Sequence, residues 1–153
     1  MNGTDAPEVR PLVESDHAAW RQLWTDYLTY YETTLDADVF ETAWSRLMGQ
    51  NPHDFHGLIA EVAGRPIGLT HYLFHRHGWK VENVCYLQDL YADPSVRGAG
   101  VGRALIQAVY AAADQAGAPN VYWLTQPDNH TARRLYDRIA VNSGFIQYKR
   151  GAV

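Results

Sequence analysis

The chain has 153 residues, 46% apolar and 20% charged, with a formal net charge of −4. One ordinary domain fits that length, with a core spanning about residues 8–150, and the composition excludes disordered and fibrous classes. No run of Lys and Arg offers a phosphate-tracking patch, so nucleic acid is not expected as a partner. No stretch reaches the roughly 18 apolar residues of a membrane span, and residues 1–7 lack a basic start followed by an apolar run, so no membrane partner is expected and a cytoplasmic location is. The single cysteine, Cys85, sits in an apolar run and excludes an internal disulfide; burial as a small hydrophobe is its expected role.

Residues 8–13 read as a first strand. Ser15 or Asp16 then offers a cap to a helix whose apolar residues recur at Trp20, Leu23, Trp24, Tyr27, Leu28 and Tyr31. Asp36 or Asp38 caps a second helix carrying Phe40, Ala43, Trp44, Leu47 and Met48, closed by Gly49 and the Asn51-Pro52 pair. Residues 57–62 and 67–75 are β-favouring runs joined by Ala63-Gly64-Arg65-Pro66, a hairpin composition. A further strand over 83–92 is stopped by Asp93-Pro94. A glycine-rich turn follows, then a helix with Leu105, Ile106, Val109, Tyr110 and Ala113 on one face, ending at Ala116-Gly117. Next come a strand over 120–125, a helix with Ala132, Leu135, Tyr136, Ile139 and Ala140 on one side, and a closing strand over 145–149. This order, βααβββαβαβ, predicts a mixed α/β architecture: a mixed sheet with helices on both faces and a parallel, right-handed unit around the glycine turn.

That turn, Val96-Arg97-Gly98-Ala99-Gly100-Val101-Gly102-Arg103, lies between a strand end and a helix start. Glycines let successive amide groups face inward, and the helix N-terminus adds N–H donors and positive potential, so the turn suits a phosphate. A dinucleotide loop needs glycine where Arg103 stands, and a Walker loop needs Gly-Lys-Ser/Thr, so both are excluded. A tight turn with no ligand is the structural alternative.

Arg97, Gly100 and Gly102 form an R-x-x-G-x-G pattern that resembles the pyrophosphate loop of the GNAT acetyltransferases. Upstream, the run Tyr86 to Pro94 is similar to that family's fourth strand, and downstream Asn129-His130-Thr131-Ala132-Arg133-Arg134-Leu135-Tyr136 is similar to its N-x-x-A-x-x-x-Y helix, with Gly144-Phe145 where members place a Gly-Phe pair. Within the family the resemblance is nearest to the fungal histone and polyamine acetyltransferase group. It implies a largely antiparallel GNAT fold, acetyl-CoA as co-substrate, and a polyamine, lysine side chain or amino acid as amine acceptor. It also implies a homodimer. The cofactor-binding positions it carries over are Leu90, Tyr91 and Ala92 on the strand, Arg97 with the loop Gly98, Ala99, Gly100, Val101, Gly102 and Arg103, and Asn129. In that family a bulge in the strand points an N–H at the thioester carbonyl.

The implied reaction is direct attack of a neutral amine on the thioester, with Tyr136 returning a proton to the departing thiolate. Core packing on its apolar helix face is the other reading of Tyr136. Related enzymes place a glutamate where Gln88 stands, and glutamine accepts no proton. Asp89 is a candidate base, yet strand alternation sends it to the face opposite Gln88 unless a bulge intervenes; a water chain or a more distant carboxylate is the alternative. Tyr27, Tyr30 and Tyr31, with Gln88, are candidate acceptor-binding residues, or else the ordinary rim of an amphipathic helix. His71, His75 and His77 share a strand end, but no other ligand cluster accompanies them and no metal is expected. A coenzyme A sensor without turnover is the alternative function.

Overall fold

The computed structural model describes residues 5–96 and 98–151. The chain divides into two compact units, Met1–Trp123 and Leu124–Val153. The first contains strands β1 (Glu8–Pro11), β2 (His56–Val62), β3 (Arg65–His75), β4 (Val84–Ala92) and β5 (Val121–Tyr122), with helices α1 (His17–Tyr30), α2 (Ala37–Met48) and α3 (Val101–Gln115). The sheet runs β1-β2-β3-β4-β5. Its first three pairings are antiparallel. The last is parallel, as a pair joined through a crossover helix must be, and α3 is that helix.

Register shows what each face covers. Ile59 pairs with Leu69, and both pack with Trp20, Phe40 and Trp44 of α1 and α2. The next pair, Ala60 and Gly68, faces the other way, towards α3. A Cβ on Gly68 would meet Val101 Cγ1 at 2.9 Å, Leu105 Cδ1 at 3.2 Å and the Tyr91 carbonyl at 2.8 Å. Glycine there lets the start of α3 press directly on β3 and β4. Leu105, Ile106, Val109 and Ala113, at helical spacing, are completely buried along the inner face of α3. On the opposite face Trp20 meets Trp24 and Trp44 at centroid distances of 5.1 and 5.0 Å, and Trp24 meets Phe40 edge-on at 5.1 Å. Contacts of this kind add about 0.5–1.5 kcal/mol each beyond the area they bury.

Several expectations need correction. Asp16 and Asp36 are the N-caps of α1 and α2, yet neither side chain bonds its own helix. Asp16 turns instead to Arg10 and to the Val13 N–H. The strand expected over 120–125 is two residues long; the bulge described below raises the local twist of β4, and its ladder with β5 closes at Tyr86. In the second unit, α4 spans His130–Ile139, with Ala132, Leu135, Tyr136 and Ile139 on one face. Residues 145–149 form no strand. The Gly144 N–H donates to Asn142 Oδ1 at 3.0 Å and the Phe145 N–H to Ser143 Oγ at 3.3 Å, so local side chains take donors a ladder would use.

Arg10 of β1 grips both oxygens of Asp16, at 2.7 and 2.8 Å, and Glu61 of β2 at 2.6 Å. This ties the chain entering α1 to the sheet. The guanidinium holds the buried Asp16 carboxyl below its ordinary value, chiefly by hydrogen bonding. A depressed folded pKa contributes stability that is full above the unfolded value of about 3.9 and is lost as pH falls through the lower folded one. Urea unfolding at pH 7 and pH 3 is expected to show Asp16→Asn costing about 2 kcal/mol at pH 7, with Arg10 partly exposed, and a smaller difference from the parent at pH 3.

Candidate active site

The decisive irregularity lies in β4. His71 pairs with Asp89, while the next residue of β3, Tyr72, pairs with Leu87, leaving Gln88 as an extra residue in the ladder. Adjacent residues of β3 face opposite sides, so their partners Leu87 and Asp89 do too. Without the bulge, Asp89 would follow the buried side chains of Cys85 and Leu87 to one face. With it, the carboxylate turns towards α1 and α2, and Gln88 and Asp89 line one cavity. The bulge is pinned from β3 by the fully buried Thr70, whose hydroxyl donates to the Asp89 carbonyl at 2.7 Å.

Asp89 Oδ2 lies 2.9 Å from His71 Nδ1. His71 is 3% exposed and enclosed by Trp20, Trp24 and Phe55. The Trp20 indole N–H donates to the other ring nitrogen, Nε2, at 2.9 Å. An indole nitrogen is a donor with no acceptor capacity, so Nε2 is the unprotonated nitrogen and Nδ1–H donates to Asp89.

The cavity, of about 390 Å³, is lined among others by Trp24, Asp38, Arg46, His71, Gln88 and Asp89. Of the candidate acceptor residues, Gln88 is in its wall. Tyr27 comes against Asp89: burial first and the Asp89 carboxylate second push its phenol far above the ordinary tyrosine value. Burial likewise raises Tyr31 and Tyr86, and the charge of Asp89 adds to it in both. Tyr31 stacks edge-on against Tyr27 at 5.1 Å, whereas Tyr30 is 66% exposed and touches Tyr31 alone among aromatic rings. The tyrosine cluster thus divides into a member beside Asp89, an intermediate and a rim residue.

Beyond the bulge, Leu90, Tyr91 and Ala92 run to the end of β4 with no partner strand on the side away from β3 among the described residues. The glycine turn follows: Gly98 and Gly100 adopt φ of +84° and +77°, Gly100 caps α3, and nothing lies within 4 Å of a Cβ on either. Ala99, Val101, Gly102 and Arg103 carry the chain into the first turn of α3, where backbone N–H groups point outward. Arg97 lies outside the described residues. Asn129 and Tyr136 belong to the second unit, where Asn129 is the N-cap of α4 and Tyr136 sits two turns along it. The three histidines diverge: His75 Nε2 is 2.7 Å from the Tyr122 hydroxyl, and His77 Nδ1 accepts the Trp79 N–H. Among the described residues no group of three or more acidic, His or Cys side chains is placed to hold a metal, and no helix is long and apolar enough to cross a membrane.

A bulged fourth strand, an unpaired strand edge and a left-handed glycine turn leading into a helix N-terminus coincide with a sequence match to the Acetyltransferase (GNAT) family over residues 17–140. The chain belongs to the GNAT acetyltransferase family. It is 37% identical over 143 residues to the D-amino-acid N-acetyltransferase of Saccharomyces cerevisiae, covering 93% of this chain and 89% of that one. It is also 30% identical over 120 residues to the thialysine N-epsilon-acetyltransferase of Bos taurus, covering 73% and 65%. The fold superposes on an aminoglycoside N-acetyltransferase solved with CoA at a TM-score of 0.81, with 18% identity and coverage of 100% and 99%. This GNAT protein is an acetyl-CoA-dependent N-acetyltransferase that acts on an amine. Its residues suit that co-substrate: the free edge of β4 presents main-chain groups to an amide-bearing arm, and the glycine turn with the start of α3 suits a pyrophosphate.

Trp24, Arg46 and His71 line the cavity and Trp20 braces His71, placements that sequence patterns did not indicate. Trp20 and Trp24 read as helix core, His71 as one of three strand histidines, and Arg46 carried no signal at all.

At Gly100 the strain of a side chain at positive φ is the whole effect, since a Cβ meets nothing. Gly100→Ala is expected to weaken acetyl-CoA binding about tenfold by isothermal titration. Gly64→Ala, at the same φ of +77° in the β2–β3 turn, is the control that lowers stability and leaves that affinity unchanged.

Proposed function

We propose that this acetyltransferase acetylates the amino group of a free amino acid, with Asp89 as general base and Arg46 as the partner of the substrate carboxylate. The observation that carries this reading is the pairing of an acid and a cation in the wall of one cavity, with Asp89 turned into it by the bulge and Arg46 engaged in no ion pair or hydrogen bond with a described residue. The buried Trp24 indole N–H, in the same wall, also has no partner among the described residues and adds a donor for an anionic group. The yeast relative's D-amino-acid activity supports the same substrate class. Polyamines and lysine side chains bring no carboxylate to meet Arg46 and the Trp24 N–H, so they rank behind amino acids.

Acetyl-CoA supplies an acetyl thioester. Asp89 takes a proton from the acceptor ammonium, and the neutral nitrogen then bonds to the acetyl carbon as the carbon–sulfur bond breaks. Tyr136 gives its phenolic proton to the leaving sulfur, a role resting on the resemblance of its helix to the family motif. Leu90, Tyr91, Ala92, the loop 97–103 and Asn129 hold the co-substrate. We assign both units to one transferase domain, since the family match spans residues of each. A homodimer follows from the fungal-group resemblance, and the cytoplasmic location stays the one expected from the sequence.

Free-thiol release with acetyl-CoA over L- and D-amino acids, their amides and spermidine tests the reading. Asp89→Asn is expected to lower kcat about 100- to 10,000-fold. Arg46→Ala is expected to raise KM for amino acids about tenfold or more while leaving that of the amides unchanged. Amides used as well as acids by the parent enzyme would rule out the carboxylate contact. Full activity in Asp89→Asn would rule out the base.

A further inference from the structure

We infer that Trp20 and His71 are positioning residues that fix Asp89 as a carboxylate with a neutral partner, by locking the His71 imidazole in its Nδ1–H form. The inference rests on Asp89 being the base and adds what makes it one. The Trp20 N–H occupies Nε2 at 2.9 Å, and His71 is 3% exposed, so the ring has neither a free lone pair nor solvent from which to gain a second proton. Its Nδ1–H holds Asp89 Oδ2 at 2.9 Å, and the Tyr27 phenol also bonds the carboxylate.

The distinction matters chemically. An imidazolium at this distance would stabilise the carboxylate by charge and make it a poorer proton acceptor; a neutral donor orients it without that cost. The chain also ends at the indole, which has no lone pair to pass a proton on, so the proton taken by Asp89 leaves through the cavity and not through His71.

Other titratable groups around the pair are accounted for. Tyr27 of α1, Tyr31 just after it and Tyr86 of β4 face Asp89 and are protonated phenols. Asp38 and Arg46 of α2 line the cavity. His17 stacks on Trp44 at 4.6 Å and lies 6.2 Å from Trp20, and its Nε2 is buried without a partner among the described residues. None of these competes for His71 Nε2.

Nitrogen-15 NMR of the histidine rings in the intact enzyme, with His71→Asn locating the resonance, reads the tautomer without reference to activity. The expected result is a protonated Nδ1 and an unprotonated Nε2. A protonated Nε2 overturns the inference. In kinetics, His71→Asn retains a donor where Nδ1 stood, and its kcat is expected to stay within about tenfold of the parent, while His71→Leu loses about 100-fold. Trp20→Phe frees Nε2, and the ring nitrogen spectrum is expected to change from one tautomer to a mixture of the two. Equal losses in His71→Asn and His71→Leu, or an unchanged single tautomer in a folded Trp20→Phe enzyme, also overturn it. Full activity in Asp89→Asn would instead remove the base assignment and leave the tautomer result standing, so the two failures are distinguishable.

Discussion

One inserted residue decides which way an acid points. Because side chains alternate along a strand, β4 cannot send both Leu87 and Asp89 to the faces they occupy unless its register against β3 slips between them, and Gln88 is that slip. Leu87 fills the core, 2% exposed, while two residues on a carboxylate opens into a cavity. The hydroxyl of Thr70 and the imidazole of His71, neighbours on β3, hold the backbone and the side chain of Asp89 respectively. The bulge is therefore braced from a strand that is itself buried between helices on both faces.

The surroundings of Asp89 explain why a charged group survives there. His71, Tyr27 and the cavity itself surround the carboxylate, and the phenols of Tyr27, Tyr31 and Tyr86 stay protonated as burial and its charge demand. The aromatic cluster behind His71 excludes water, which strengthens every interaction within it. Core packing and site preorganisation are here the same set of contacts: Trp20 is at once a fully buried core residue and the donor that fixes a tautomer.

Legibility in the sequence followed the range of the interaction. The glycine turn, the helix it starts and the face of α3 are set by neighbours within a few residues, and their spacing was readable. Even the bulge was expected, from resemblance. The face taken by Asp89 was not, because it depends on a partner strand 18 residues earlier. Trp20 and His71 are 51 residues apart, and no periodicity links them. Of the alternative caps, Asp16 and Asp36 hold the N-cap positions without bonding their helices, Asp16 because Arg10 on another element competes for it more strongly than a helix N–H does. The tail after Gly144 carries strand-forming residues, yet at its start the Gly144 and Phe145 N–H groups turn to Asn142 and Ser143, a short-range alternative that a propensity pattern does not weigh.

The two-residue ladder between β4 and β5 has an evolutionary reading. From Leu87 onward the edge of β4 away from β3 leaves main-chain groups unpaired among the described residues, while the side chains of Gln88 and Asp89 line the cavity. Main-chain recognition survives almost any substitution except proline, whereas the cavity changes with each one. A lineage could therefore exchange Gln88, Arg46 or Asp38 and acquire a new amine without losing its acyl donor, so divergence of acceptor on a constant donor is the cheap direction of change for this architecture.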